Sequence, residues 1–253
     1  MRIYRNIPDY GACGHYRAIS PHKNLKPDLS AIGIETVCSM QYNRTEKYDG
    51  VILSRVTSKN FEAEFDRLAD TDTKIILDCD DDFFRIPDWS PARKSLNDEH
   101  VKMFEKTLKR ADRITVSVPA LAEALGYPEK TDVLPNLIDE EDWREVQHPE
   151  NDDVIRILWA GSHTHEKDIA QLIDPIQEIA LHADIHVIFY GAIPQELVYL
   201  FPKNITFIPP TPLPCYTNLC TLVNPHIALL PLIRHPFNES KSAIKWYEMT
   251  YAG

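Results

Sequence analysis

The sequence predicts an α/β protein built on parallel sheets, and three observations carry that prediction. Short, solidly apolar runs recur from end to end, among them Ile157-Leu158-Trp159, Val187-Ile188-Phe189 and Ile227-Ala228-Leu229-Leu230. Solid runs suit strands buried on both faces, as in a parallel sheet, whereas a half-solvated sheet alternates. Segments with helical period lie between these runs, which is the strand–helix–strand order of α/β folds. The pattern then restarts after an acidic stretch, Glu140 to Asp153, that carries no strand period. This places a boundary near residue 150 and predicts two α/β domains, 1–150 and 151–253.

In chain order, the expected strands are Arg2–Ile7, Ile34–Cys38, Gly50–Leu53, Lys74–Asp78, Arg113–Val118 and Asp132–Leu134 in the first half. Ile155–Ala160, Ile185–Tyr190, Ile205–Ile208 and His226–Leu230 follow in the second. The expected helices are Arg17–Ala31, Phe61–Ala69, Asp98–Ala111, Ala120–Leu125, Glu166–Leu181 and Ser240–Tyr251. No repeat of period 20–50 is present, which argues against a solenoid.

The chain has 253 residues, 43% hydrophobic and 26% charged, which is ordinary globular composition. Lys and Arg number 27 against 38 Asp and Glu, so the net charge is −11 and no global basic footprint for nucleic acid exists. No run of 18 apolar residues predicts a membrane span. The start, Met1 to Gly14, has no apolar signal core, which predicts a cytoplasmic protein. Five cysteines without a C-x-x-C pair predict reduced thiols rather than a disulfide or zinc framework.

Four segments are candidates for chemistry. Gly11-Ala12-Cys13-Gly14-His15-Tyr16-Arg17 follows the first strand and opens a helix, where bare backbone can approach an anion. Its G-x-x-G spacing is not the dinucleotide fingerprint, and a plain tight turn is the other reading. Asp78-Cys79-Asp80-Asp81-Asp82 ends the fourth strand, the side on which ligands of parallel sheets bind. Asp78 and Asp80 would share a face and can hold Mg²⁺ or Mn²⁺, or the cluster can serve acid–base work; the alternative is an acidic loop capping its own backbone. The bulky residues after it, Trp89 among them, are a candidate acceptor platform.

Ala160-Gly161-Ser162-His163-Thr164-His165 lies between a buried strand and a helix that Ser162 or Thr164 can cap. Its free N–H groups can instead receive a diphosphate. In Pro236 to Glu248, Lys241, Lys245 and Glu248 are spaced i, i+4, i+7 and would share one helical face, with Asn238 or Ser240 as cap. Two ammoniums beside a helix start make a diphosphate clamp, and a carboxylate one turn on can accept ribose or sugar hydroxyls. A solvated Lys–Glu face is the alternative.

Taken in order, these segments resemble GT-B glycosyltransferases close to family 4, of bacterial and phage type. The resemblance rests on the strand–G-S-x-x-H–helix turn at Gly161–His165 and the P-F-N-x-x-K-S-x-x-K-W-x-E segment at Pro236–Glu248. It rests also on Gly14-His15-Tyr16-Arg17, on Asp78–Asp82 with Pro87, and on Val133-Leu134-Pro135-Asn136. It implies two Rossmann-like domains facing each other: 1–150 on the acceptor side and 151–253 for the donor, the latter incomplete because the chain stops at Gly253. Ser240 stands where many relatives carry a glutamate, which shifts electrostatic load onto Lys241.

The resemblance implies transfer of a sugar from a nucleoside-diphosphate sugar, retaining and without a metal or other cofactor. It assigns donor contacts to Gly161, Ser162, His163, Asn238, Ser240, Lys241, Ser242, Lys245 and Glu248. Catalytic roles fall to Asp80, Asp81, His15 and Lys241, and acceptor-side roles to Gly14, Tyr16, Arg17 and Trp89. The acceptor is a glycan, lipid, protein or modified DNA. Two alternatives stand beside this reading: a GT-A enzyme with Mg²⁺ or Mn²⁺ on Asp78 and Asp80, and a decayed transferase that only binds.

Overall fold

The computed structural model describes residues 1–55, 59–143, 153–192 and 203–252. They form two compact units. The first comprises Met1–Pro87, Arg93–Leu137 and Glu239–Ser242; the second comprises Asp88–Ala92, Ile138–Asn238 and Ala243–Gly253. The boundary expected near residue 150 falls outside the described residues. Two short segments depart from a single cut: 88–92 groups with the second unit and 239–242 with the first.

The first unit carries six parallel strands: β1 (Arg2–Asn6), β2 (Glu35–Ser39), β3 (Gly50–Ser54), β4 (Lys74–Cys79), β5 (Arg113–Val116) and β6 (Thr131–Val133). Their spatial order is β2-β1-β3-β4-β5-β6. Val51, Leu53, Ile75, Leu77, Ile114 and Val116 are essentially inaccessible. The helix Asp98–Arg110 covers part of this core with Met103, Phe104 and Leu108, and is opened by a capping box at Asn97. Gly126, in the left-handed region at φ 75°, ends the helix Pro119–Leu125.

The second unit carries β7 (Ile155–Gly161), β8 (Ile185–Gly191), β9 (Ile205–Ile208) and β10 (Ile227–Ala228), all parallel and ordered β10-β7-β8-β9. Its apolar runs are solid because both faces are covered. Ile157, Trp159, Val187 and Phe189 pack with Ile169 and Ile176 on one side. Leu158, Ala160, Ile188 and Tyr190 pack with Cys220 and Met249 on the other.

Two expected helices differ, and one helix was not expected. The helix expected over Glu166–Leu181 is broken into Glu166–Ala170 and Ile173–Ile179. Pro175 offers no N–H to residue 171 and its ring crowds that carbonyl, so the helix restarts. The helix expected over Ser240–Tyr251 begins only at Ile244, with a separate turn over Pro236–Glu239. Lys241 is therefore not on the helical face of Lys245 and Glu248, and neither Asn238 nor Ser240 caps that helix. A helix over Leu213–Val223, unassigned from sequence, follows β9; Pro214 is tolerated because it lies in the first turn.

Candidate functional site

Both sheets end at a carboxyl edge, the side where parallel α/β sheets take ligands. In the first unit that edge is filled by ion pairs. The Asp78 carboxylate is buried; it accepts from Arg17 at 2.5 Å, from Arg5 at 2.8 Å and from the Thr115 hydroxyl at 2.6 Å. Burial alone would raise its pKa, but Arg5, Arg17 and Thr115 outweigh that and hold it at about 2. Asp80 accepts a two-pronged contact from Arg55 at 3.1 and 2.9 Å. Arg55 sits in the left-handed region at φ 52°, and a second ion pair, to Asp9 at 3.1 Å, fixes it there. Burial pushes the Asp80 carboxyl up, yet the Arg55 guanidinium leaves it below its usual range.

Asp81 accepts from Lys241 at 3.1 Å. Asp82 accepts from the Phe84 amide at 3.0 Å and pairs with Arg85, which in turn donates to Ser240 Oγ at 3.3 Å. Asn136 donates to Ser242 at 3.0 Å. Residues 240–242 are thus held on the first unit by side chains of 81, 85 and 136.

These contacts correct several expectations. A divalent cation needs open carboxylate lone pairs, and those of Asp78 and Asp80 face guanidinium groups, so the D-x-D metal reading does not fit. Among the described residues, no group of three or more His, Cys, Asp or Glu is placed to hold a metal ion. Asp80, read as a candidate acid, has both carboxylate oxygens on Arg55, which favours the ionised form over a proton donor. Arg17, expected on the acceptor side, is 7% exposed and spends its donors on Asp78, Leu134 O and Asn136. Tyr16 is buried in the core. Gly14 is required by packing, since a Cβ there would overlap the Asp9 carbonyl. His15 is half-buried with its ring edge-on to Tyr16 at 5.0 Å. Trp89, expected in the first domain, belongs to the second unit, where its ring lies 5.1 Å from that of His235.

The carboxyl edge of the second unit is built differently. β7 and β8 end in register on paired glycines, Gly161 and Gly191. Gly191 has φ 109°, and a Cβ on it would overlap the Gly161 carbonyl. A Cβ on Gly161 would lie 2.6 Å from the Trp159 ring. Backbone is therefore bare at this edge. Ser162, expected as a helix cap, makes no cap bond; its hydroxyl meets that of Thr164 at 2.6 Å. His163 is exposed in the single turn that follows. His165 Nδ1 lies 2.8 Å from Asp168, which also accepts from the Ile233 amide at 2.9 Å and from Asn238 at 3.2 Å. Asn238 thus ties the loop before the last helix to the helix after Gly161, and has a structural task here.

Glu248 sits on the last helix, 1% exposed, beneath a polar triad. Tyr216 Oη donates to its Oε2 at 2.8 Å; Lys245 Nζ lies 2.8 Å from Tyr216 Oη and 2.5 Å from Glu248 Oε2. Tyr216 stands in the first turn of the helix after β9, so the triad sits at the carboxyl edge. Burial first, and then the Glu248 carboxylate, push the Tyr216 phenol well up, so it remains a donor. Lys245 keeps 37% of its side chain in solvent, so its ammonium can exchange Glu248 for another anion.

Sequence reasoning missed Tyr216 and Gly191 here, and Arg5 and Arg55 in the first unit. Gly191 left a signal, since Phe189-Tyr190-Gly191 repeats the pattern of Trp159-Ala160-Gly161. Tyr216 left none, because prolines 209, 210, 212 and 214 mask the helix that carries it.

No protein-family model and no curated protein matches the chain. Solved structures do. Anabaena HepE, in complex with UDP and glucose, aligns with a TM-score of 0.61 at 13% identity, over 100% of this chain and 78% of that one. An α-glucosyltransferase in complex with UDP aligns at 0.59 and 12%, over 100% and 79%. The catalytic domain of starch synthase IV from Arabidopsis thaliana, bound to ADP and acarbose, aligns at 0.62 and 8%, over 93% and 78%. At such identities the likeness is one of fold, and the fold, with parallel sheets of six and four strands, is that of the GT-B glycosyltransferases.

Proposed function

We propose that the chain transfers a sugar from a nucleoside-diphosphate sugar to a hydroxyl-bearing acceptor, with the donor on the second unit and the acceptor on the first. The observation that carries this reading is the carboxyl edge of the four-stranded sheet. Bare glycine backbone at 161 and 191 and the half-exposed Lys245 ammonium lie there with a buried carboxylate, Glu248. That combination matches a diphosphate next to a hydroxyl-rich ring: ammonium and amides for the anion, carboxylate for hydroxyls. Fold neighbours with UDP or ADP bound agree with it.

In this reading Lys245 leaves Glu248 for the departing diphosphate, and the released carboxylate accepts from the donor's hydroxyls. Stabilising a leaving diphosphate is the main catalytic demand, and Lys245 meets it with a fixed positive charge. Metal independence and retention of configuration are part of the proposal. So are a cytoplasmic location, donor contacts from Ser162 and His163, a role for His15 at the acceptor and an electrostatic contribution from Lys241. No described helix is long and apolar enough to cross a membrane. Thermal shift with UDP, GDP and ADP, with and without EDTA, tests the reading. Stabilisation by at least one nucleotide, unchanged by EDTA and lost in Lys245→Ala, is expected; no stabilisation by any of the three overturns it.

A further inference from the structure

The second unit has a pocket of about 120 Å³ whose chemistry differs from that of the Lys245 triad. It is lined by Trp89, Pro91, His163, Thr164, Glu166, Lys167 and Ala170, all in the second unit. Trp89 keeps 44% of its surface in solvent although its ring lies 5.1 Å from that of His235, at an interplanar angle of 77°. A partly exposed indole lining a pocket is an apolar surface available to a ligand. Around it stand a hydroxyl, an imidazole, a carboxylate and an ammonium. Glu166 and Lys167 cancel in charge, so the lining offers hydrogen bonds in both directions without a net field for an anion.

We propose that this pocket is a subsite for a neutral pyranose ring. The C–H face of the sugar would stack on Trp89, and its hydroxyls would be met by His163, Thr164, Glu166 and Lys167. A diphosphate gains nothing from an indole face beside Glu166, whereas a sugar presents one apolar face and a rim of donors and acceptors. The proposal deepens, and rests on, the reading of the chain as a sugar transferase. Its chemistry fits either the donor's sugar or a sugar on the acceptor.

The test is saturation-transfer NMR on the full chain with the methyl glycosides of glucose, galactose, mannose and N-acetylglucosamine, with nucleotide binding followed by calorimetry. At least one glycoside is expected to bind. Trp89→Ala should weaken it about tenfold, the scale of one lost aromatic contact, and Trp89→Phe less. Nucleoside-diphosphate binding should be unchanged in both variants, which also verifies their folding. Displacement of the glycoside by a nucleotide sugar, but not by the bare nucleotide, assigns the pocket to the donor's sugar. Persistence with nucleotide sugar bound assigns it to the acceptor. Binding of no glycoside, or equal binding by wild type and Trp89→Ala, overturns the subsite whatever the nucleotide does. Glycoside binding without any nucleotide binding would keep the subsite and sink the donor reading.

Discussion

The two carboxyl edges are the same feature of parallel sheets finished in opposite ways. On the first unit, Asp78, Asp80, Asp81 and Asp82 each face an Arg or Lys, and the edge is closed by its own charges. On the second, two glycines leave the strand ends bare, and a Lys–Glu–Tyr triad stands beside them. The lesson is that a cluster of carboxylates at a strand end does not by itself mark a reactive centre. What decides is whether partners within the fold already use the lone pairs. An acidic motif whose carboxylates all face guanidinium or ammonium partners specifies structure, while bare backbone beside an exchangeable ammonium leaves work for a ligand.

If the first edge is structural, breaking it should cost stability more than ligand affinity. Asp78→Ala strands Arg17 and Arg5 in the interior and should destabilise the protein by about 3–5 kcal/mol, measured by urea unfolding. A loss below about 1 kcal/mol would show that the cluster is not what fixes this edge. The same carboxylate predicts a pH dependence. Its folded pKa, about 2, lies below the ordinary value of 3.8. A depressed folded pKa means stability is present above the unfolded value and lost as pH falls through the folded one. Roughly 2 kcal/mol should therefore disappear between about pH 4 and pH 2, and this step should be absent in Asp78→Asn.

If the second edge needs bare backbone, Gly191→Ala should destabilise by about 1–3 kcal/mol, from its φ and from the overlap with Gly161. It should also abolish nucleotide-induced stabilisation, which no substitution at Asp78 or Asp81 does directly. The smallest effect belongs to the Asp81–Lys241 pair, which is partly solvated on both sides. Asp81→Asn should change stability by less than about 1 kcal/mol. A larger loss by thermal unfolding would mean that residues 239–242 depend on this contact far more than an exposed pair allows.

How far the sequence revealed this contrast follows from which residues carry it. Buried strands were legible because their apolar runs are solid: Ile155–Ala160 and Ile185–Tyr190 emerge within a residue of the observed β7 and β8. Helix ends near proline were not, because Pro175 and the 236–243 segment break periods that side-chain spacing alone suggests. Of the site, Gly161, Lys245 and Glu248 could be read from local motifs. The neutralisation of Asp78 could not, since its partners Arg5, Arg17 and Thr115 lie 73, 61 and 37 residues away. Long-range pairing of charge is settled by strand order, β1-β3-β4-β5, and strand order is invisible in a single sequence.

The most direct measurement is a calorimetric titration of UDP, and of ADP, into wild type, Lys245→Ala and Asp78→Asn at a pH where all three are folded. Wild type should bind at least one nucleotide, Lys245→Ala should bind it more weakly by about tenfold or more, as loss of a charge-assisted contact requires, and Asp78→Asn should match wild type. Equal affinity in wild type and Lys245→Ala, with a loss confined to Asp78→Asn, would put the ligand on the wrong sheet and contradict the account.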